Sequence, residues 1–144
     1  MSDLFTLRAA VEADRPYLDA YCYAEGMDNL PSMEGVTVAV NADDEPVGLI
    51  RIAVGANGAA HVNPVVTYEA WRGFGVGRAL MEAARAEHGE LRLVARGASV
   101  PFYRALGLVD CGWEAIDLSV TENCEGCDLT EECHPQPMRW PAGE

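Results

Sequence analysis

The segment Trp71–Leu80 reads WRGFGVGRAL and places glycine at positions 73, 75 and 77. An apolar run with strand character precedes it, and apolar residues at helical spacing follow it from Val76. A strand that joins a helix through bare glycines exposes backbone N–H groups at the helix N-terminus, where they bind anions. Arg72 and Arg78 flank the glycines. The segment therefore predicts a phosphate-binding turn between a strand and a helix.

Two common nucleotide-binding motifs do not fit this segment. A dinucleotide-binding fingerprint needs its third glycine at position 78, where this chain has arginine. A P-loop needs lysine, and the chain contains none. A strand-to-helix turn with incidental glycines is the remaining structural alternative.

The composition is that of one acidic domain. The chain has 144 residues and a formal net charge of −13, and all ten of its basic side chains other than histidine are arginine. Such a surface disfavours nucleic acid and anionic membranes and favours cationic molecules, although solubility or a salt-rich host explains acidity equally well. No apolar run is long enough to span a membrane, and MSDLFTLRAA lacks the apolar core of a signal peptide. We therefore expect a cytoplasmic protein with a single domain over residues 1–144.

The order of predicted elements indicates an α/β fold with a mixed sheet. LFTLRAA is a strand, Asp14 and Pro16 open a helix, and VTVAVN and VGLIRIAVG form an antiparallel hairpin. The strand AAHVNPVVTY leads to the glycine turn and to a helix that Gly89 ends. LRLVAR is a further strand, and VPFYRAL is a short helix that Gly107 ends. Two strands close the chain, one near WEAIDLSV and one at PMRW.

Two motifs resemble one protein family. RGFGVG resembles the Arg/Gln-x-x-Gly-x-Gly/Ala pyrophosphate motif of the GNAT (N-acetyltransferase) superfamily, and VPFYRALGL is similar to its FYxxxGF segment. Both occur in the family's order and at its usual separation, and the resemblance covers roughly residues 4–120 and the last strand. It implies a single GNAT-like acyltransferase domain with a mixed sheet, acting with acetyl-CoA as co-substrate on an amine.

The resemblance also assigns cofactor contacts to this sequence. Backbone groups of Val65, Val66 and Thr67 would meet the pantetheine and the thioester. The pyrophosphate would be held by the residues of the turn, which are Arg72, Gly73, Phe74, Gly75, Val76, Gly77 and Arg78.

Tyr103 falls on the family's general-acid position. Seven residues before this tyrosine, many relatives have an asparagine that bonds the cofactor, and this chain has Arg96. An arginine at that position would meet a phosphate or the acyl group instead.

The chemistry of acyl transfer to an amine requires three further functions. The amine must be uncharged, the thioester carbonyl polarised and the leaving thiolate protonated. A backbone N–H near Thr67 would polarise the carbonyl, and the phenol of Tyr103 would protonate the sulfur. We predict His61 as the base, with Asn63 and Glu69 as alternatives, and any of the three would bind a water that deprotonates the amine. A histidine in a strand is often only hydrogen-bonded, which is the structural alternative for His61.

Residues 121–135 form a Cys/His-rich segment that we predict to be a metal-binding loop between the last two strands. Its thiols have the spacing C-x2-C-x5-C, which suits a closed zinc site, and an iron–sulfur cluster is the second choice. The predicted ligands are Cys124, Cys127, Cys133 and His134. The fourth ligand stays open among His134, Cys111, His61, His88 and water, and free thiols or a redox disulfide are the alternative to metal.

The acceptor is the least defined partner. In folds of this family the segment after the first helix and the closing hairpin border the acceptor cleft, which assigns to it Tyr21, Tyr23, Glu25, Asp28 and Trp113. Aromatic walls with carboxylates suit a small cationic amine, with a peptide N-terminus or a lysine as second choices. The alternative function is a non-catalytic acyl-CoA-binding regulatory module whose cysteine loop senses metal or redox state. A homodimer is left open.

Overall fold

The computed structural model describes residues 4–27, 29–117, 119–120 and 134–143. Within these ranges, strands and helices alternate along the chain. The strands are β1 (Thr6–Ala9), β2 (Val36–Val40), β3 (Pro46–Val54), β4 (Ala60–Thr67), β5 (Leu91–Ala95), β6 (Val109–Asp110) and β7 (Gln136–Trp140). The helices are α1 (Arg15–Ala24), α2 (Val76–His88) and α3 (Val100–Leu106). None of the helices in the described ranges is long and apolar enough to cross a bilayer.

The strands form one mixed sheet in the order β1-β2-β3-β4-β5-β7-β6. Antiparallel pairing joins β1 to β2, β2 to β3, β5 to β7 and β6 to β7. β4 and β5 pair in parallel, with Ala60 opposite Leu91 and His61 opposite Arg92, because α2 provides the crossover between them. The mixed α/β sheet predicted from the sequence is therefore confirmed.

The chain divides into two compact units. The first comprises Met1–Ile52 and Pro64–Ala83. Its core packs one face of α1 onto the inner residues of β2 and β3. The buried residues of this cluster are Leu18, Cys22, Leu30, Val36, Val38, Val40, Leu49 and Val66.

A close approach in the first unit depends on Gly48 of β3. A Cβ built at Gly48 would lie 2.7 Å from Cγ1 of Val76 and 3.2 Å from the carbonyl oxygen of Val66. The absence of a side chain thus lets the first residue of α2 pack directly onto β3. This contact fixes the start of α2 and therefore the position of the turn that precedes it.

The second unit comprises Ala53–Asn63 and Ala84–Glu144. Leu91 and Leu93 of β5 are buried with Met138 and Trp140 of β7, which pair with them across the antiparallel ladder. The guanidinium of Arg85 stacks over the Trp140 ring at 4.3 Å and donates to the Pro141 carbonyl at 2.8 Å. These contacts hold the last turn of α2 against β7.

The predicted strand near residues 113–120 is wrong. Trp113–Ala115 form a 3-10 turn, and among the described residues the strand that precedes β7 is the two-residue β6. The side chain of Asp117 explains the difference, since its Oδ1 accepts hydrogen bonds from the N–H and the hydroxyl of Ser119. Such local bonds offer the backbone an alternative to a sheet ladder.

Candidate functional site

The glycine-rich segment forms the predicted turn, within the first unit. A 3-10 turn over Glu69–Trp71 follows β4, and α2 begins at Val76. Gly73 and Gly75 have φ angles of +89° and +82°, which side-chain-bearing residues rarely adopt. Both glycines are therefore required by the backbone path itself.

The turn presents an open face. A Cβ built at either Gly73 or Gly75 would meet no atom within 4 Å. The turn also precedes a helix of 13 residues, whose first N–H groups and macrodipole favour an anion. Open space over bare backbone at a helix start is the geometry that a pyrophosphate needs.

Both arginines that flank the turn contact carboxylates of the first unit. Arg72 Nη2 contacts Oε1 of Glu25, which lies just beyond the end of α1. Arg78 Nη1 lies 3.5 Å from Oε1 of Glu82, four residues later on the same helix. Neither pair was predicted from the sequence. The contact of Arg78 follows from i,i+4 spacing, whereas Glu25 lies 47 residues from Arg72 and no sequence pattern joins them.

The end of β4 lies next to this turn in the same unit. Val66 is buried in the core, whereas Val65 and Thr67 are half-buried. The N–H of Tyr68 donates to the Val47 carbonyl at 2.8 Å, which anchors the chain just before the 3-10 turn. Val65 and Thr67 thus keep partial access to solvent at the strand end.

Two of the tyrosines of the first unit stack on each other. The rings of Tyr21 on α1 and Tyr68 after β4 have centroids 5.1 Å apart and planes inclined by 20°. The Tyr21 hydroxyl donates to the Pro46 carbonyl at 2.7 Å, and burial raises the pKa of this phenol to about 12. Tyr23 is 82% exposed. Of the other predicted acceptor residues, Asp28 lies outside the described residues, and Trp113 belongs to the second unit.

Tyr103 lies on α3 in the second unit. Its side chain is half-buried and its ring packs edge-to-face on Phe102, with centroids 5.2 Å apart. Burial raises the pKa of the Tyr103 phenol to about 12, and the positive charge of Arg96 opposes this rise. The phenol therefore keeps its proton through neutral pH, as a general acid must.

His61 is fully buried in the second unit, and the backbone engages both of its ring nitrogens. Nδ1 lies 2.8 Å from the Ala59 carbonyl, to which it donates, and Nε2 accepts from the N–H of Asp117 at 3.0 Å. This pattern assigns the neutral tautomer with its proton on Nδ1. An imidazole with no exposed nitrogen has no lone pair to offer an amine, so the geometry does not favour the predicted role as base.

The other two candidates for the base differ in accessibility. The amide of Asn63 donates to the Val120 carbonyl at 3.0 Å in the second unit. Glu69 is exposed in the 3-10 turn that precedes Arg72. Of the three residues considered, Glu69 is the one with an ionisable group that reaches solvent.

The predicted metal loop falls mostly outside the described residues. Cys124, Cys127 and Cys133 all lie in that part of the chain, whereas His134 is described as exposed with a φ of +50°. Among the described residues, no three His, Cys, Asp or Glu side chains come together to hold a metal ion. Cys111, which was one choice for the fourth ligand, is a free thiol. The metal site stays a prediction from the spacing.

A family model described as an acetyltransferase (GNAT) domain matches residues 33–109. The match is more than half of the chain and includes both the glycine turn and Tyr103. A search of curated proteins by sequence finds no match.

Solved structures share this fold at low sequence identity. The N-acetylglutamate synthase of Neisseria gonorrhoeae, solved with coenzyme A and N-acetyl-glutamate, has a TM-score of 0.79 at 9% identity and covers 100% of this chain. This chain spans only 36% of that synthase. Ard1 from Thermoplasma volcanium has a TM-score of 0.73 at 18% identity, over 98% of this chain and 99% of its own. An acetyltransferase of the GNAT family from Staphylococcus aureus Mu50 has a TM-score of 0.72 at 11% identity, over 96% and 99%.

Proposed function

Because this chain belongs to the GNAT acetyltransferase family, we propose that it transfers an acetyl group from acetyl-CoA to a primary amine. The observation that carries the proposal is the open glycine turn at the start of α2, inside the segment that matches the family. In this proposal Gly73 to Arg78 hold the pyrophosphate together with Arg72, and backbone groups from Val65 to Thr67 contact the pantetheine and the thioester. Acetyl-CoA supplies the activated acetyl group as a thioester.

Tyr103 is the proposed general acid. The amine nitrogen forms a bond to the thioester carbonyl carbon, the carbon–sulfur bond breaks, and the sulfur leaves with the bonding electron pair. Tyr103 Oη gives its proton to that sulfur, the new amide nitrogen sheds one proton to solvent, and Tyr103 regains a proton from solvent. The raised pKa of this phenol, about 12, keeps the proton available over the whole neutral range. Arg96 opposes the rise through its positive charge and so keeps the phenol a usable acid.

Glu69 is the proposed base in place of His61. An amine attacks only as the free base, so a proton must leave the ammonium ion before transfer. Glu69 is exposed next to the turn, and a water held by its carboxylate would carry that proton to solvent. His61 has no ring nitrogen available for this step, because both nitrogens are hydrogen-bonded to the backbone.

The proposed acceptor is a small cationic amine. Net charge supports this choice, since −13 on 144 residues concentrates ammonium ions near the surface. Local chemistry supports it as well, since the first unit exposes the Tyr23 and Tyr68 rings and also carries the half-buried carboxylate of Glu25. Aromatic faces and carboxylates together bind protonated amines.

One assay tests the proposal. Release of free thiol from acetyl-CoA is measured across a panel of small diamines, amino sugars, amino acids and lysine peptides. We expect amine-dependent release that is fastest with a cationic small molecule. Coenzyme A binding with no release for any amine would favour the non-catalytic module instead. Absence of coenzyme A binding would exclude both the transferase and the non-catalytic module.

A further inference from the structure

Two aromatic rings in contact lie at the glycine turn, within the first unit. Phe74 stands between Gly73 and Gly75, the two turn glycines with positive φ, and Trp71 ends the 3-10 turn just before them. The centroids of the two rings are 5.4 Å apart and their planes are inclined by 51°. The Phe74 side chain is 50% exposed. The turn therefore presents an aromatic surface in addition to its bare backbone.

The backbone fixes this aromatic surface in place. The N–H of Trp71 donates to the Tyr68 carbonyl at 2.8 Å, and the positive φ angles of the two glycines determine the chain path on both sides of Phe74. A single exposed apolar side chain is ordinary, whereas two aromatic rings in contact beside an anion-binding turn form a patch that suits a ligand. Rigid aromatic rings also lose little conformational freedom when a planar group stacks on them.

The chemistry of the donor identifies the planar group that comes nearest to the patch. In the proposed function the turn holds the pyrophosphate of acetyl-CoA. A single ribose joins this pyrophosphate to the adenine, so the base lies within one sugar of the turn, whereas the pantetheine is a flexible chain without a ring. A nucleobase stacks on an aromatic side chain through its π-face. Stacking holds the nucleoside end of the donor without adding a cation to the turn.

We infer that the Phe74 ring, supported by Trp71, is the platform on which the adenine of the acyl-CoA donor stacks. This inference rests on the proposed function, because the pyrophosphate brings the base to the turn. The Phe74 backbone belongs to the phosphate site, and its ring holds the nucleoside end. Trp71 is a positioning residue, because it acts through the Phe74 ring. The pair thereby makes the chain select donors that carry the base over pantetheine donors that lack it.

The first measurement is titration calorimetry of the full chain with three ligands. Coenzyme A and dephospho-coenzyme A both contain the adenine, whereas phosphopantetheine lacks it. In Phe74→Ala we expect coenzyme A and dephospho-coenzyme A each to bind about five- to twenty-fold more weakly, and phosphopantetheine to bind as in the native protein. Tyr17→Ala is the matched control, because Tyr17 is a similarly exposed aromatic residue of the first unit on α1, and it should leave all three affinities unchanged.

Two further variants separate the aromatic face from damage to the turn. Phe74→Trp keeps an aromatic face, so we expect it to bind coenzyme A at least as tightly as the native protein. Phe74→Leu keeps an apolar side chain without a π-face, so its affinity should lie between those of the native protein and Phe74→Ala. An equal loss in Phe74→Trp and Phe74→Ala would contradict stacking.

The second measurement is the tryptophan emission during a titration with coenzyme A. The chain has three tryptophans, and Trp71 is the one in contact with Phe74. We expect the emission to change as the base stacks beside this pair. Trp71→Phe keeps an aromatic ring against Phe74 and should abolish the change. An emission change that persists in Trp71→Phe would contradict a base at this pair.

The outcomes separate this inference from the proposed function. Unchanged coenzyme A affinity in Phe74→Ala, or an equal loss of affinity for phosphopantetheine, would overturn the adenine platform and leave the transferase proposal intact. A raised amine KM in Phe74→Ala with native coenzyme A affinity would show that the ring meets the acceptor, which also overturns the inference. A native protein that binds no coenzyme A would overturn both.

Discussion

His61 Nε2 accepts a hydrogen bond from the backbone N–H of Asp117 at 3.0 Å, across 56 residues of chain. The other ring nitrogen is bonded to the Ala59 carbonyl, and the ring has no exposed surface. Asp117 in turn accepts from the Ala56 N–H at 2.7 Å. The imidazole thus bridges the loop between β3 and β4 and the segment after the Trp113–Ala115 turn. In this position it stabilises the second unit.

We expect His61→Ala to lower the free energy of unfolding by about 2–4 kcal/mol, because it leaves a cavity and two backbone groups without their partners. Urea denaturation measures the change. His88→Ala is the control, since His88 is partly exposed and its Nε2 lies 3.8 Å from Oε2 of Glu87, so about 0.5 kcal/mol or less is expected. A His61→Ala protein of native stability that has lost most of its kcat would instead support His61 as the base.

The elements with strong local signals were predictable from the sequence. The β2–β3 hairpin, the helix from Val76 and the ends of α2 and α3 at Gly89 and Gly107 all agree with the structure. Each depends on residues within a few positions of one another, such as a glycine with positive φ after the last helical turn. The glycine turn was predictable for the same reason.

The features that depend on distant residues were not predictable. The Nε2 atom of His61 is occupied by a hydrogen bond from Asp117, which is distant in sequence. The contact of Arg72 with Glu25 depends on how α1 packs in the first unit. The strand predicted near residues 113–120 failed because the Asp117 side chain bonds the backbone locally, which an apolar pattern does not reveal. Contacts of this kind are determined only when the chain is folded.

A substitution in the glycine turn tests the cofactor site. We expect Gly75→Glu to abolish coenzyme A binding, because a carboxylate would occupy the anion site. Gly75→Ala separates charge from strain, since the positive φ costs about 1–2 kcal/mol for a residue with a Cβ.

Gly58→Ala is the matched control for strain. Gly58 has a φ of +79° and open space around its Cβ position, but it lies in the loop between β3 and β4. We expect a similar stability loss there with unchanged coenzyme A affinity in calorimetry. Native affinity in Gly75→Glu would exclude the turn as the pyrophosphate site.

Alkaline titration tests the two half-buried phenols whose pKa is raised. Burial raises the pKa of both Tyr21 and Tyr103 to about 12, against a reference near 10. Both phenols are neutral well below pH 10 in the folded and unfolded chain, so their contribution to stability is fully present there. It is lost as pH rises through about 12, because the unfolded chain loses these protons first.

The measurement is the tyrosinate absorbance near 295 nm after a rapid pH jump. Tyr21→Phe and Tyr103→Phe should each remove one late-titrating step, and denatured protein should show neither step. If either variant instead loses a step near pH 10, the burial of that phenol is wrong.

Elemental analysis tests the cysteine segment. We expect about one zinc per chain in protein purified without added metal, and loss of that zinc in Cys124→Ser, because closed thiolate sites bind zinc tightly. Comparing Cys111→Ser with His134→Ala identifies the fourth ligand. Iron with visible absorbance would indicate a cluster, and reactive thiols with neither metal would contradict the metal site.

The general acid is tested by Tyr103→Phe, which keeps the ring and its packing on Phe102 and removes the hydroxyl. If the phenol protonates the leaving sulfur, removal of the hydroxyl destabilises the transition state and leaves substrate binding unchanged. We therefore expect kcat and kcat/KM to fall together by about 10²–10⁴, while coenzyme A affinity and thermal stability stay near native. Tyr17→Phe is the control, because it removes a hydroxyl from an exposed tyrosine on α1. The acceptor is the best amine of the panel, and near-native kcat in Tyr103→Phe across the working pH range would require another proton donor.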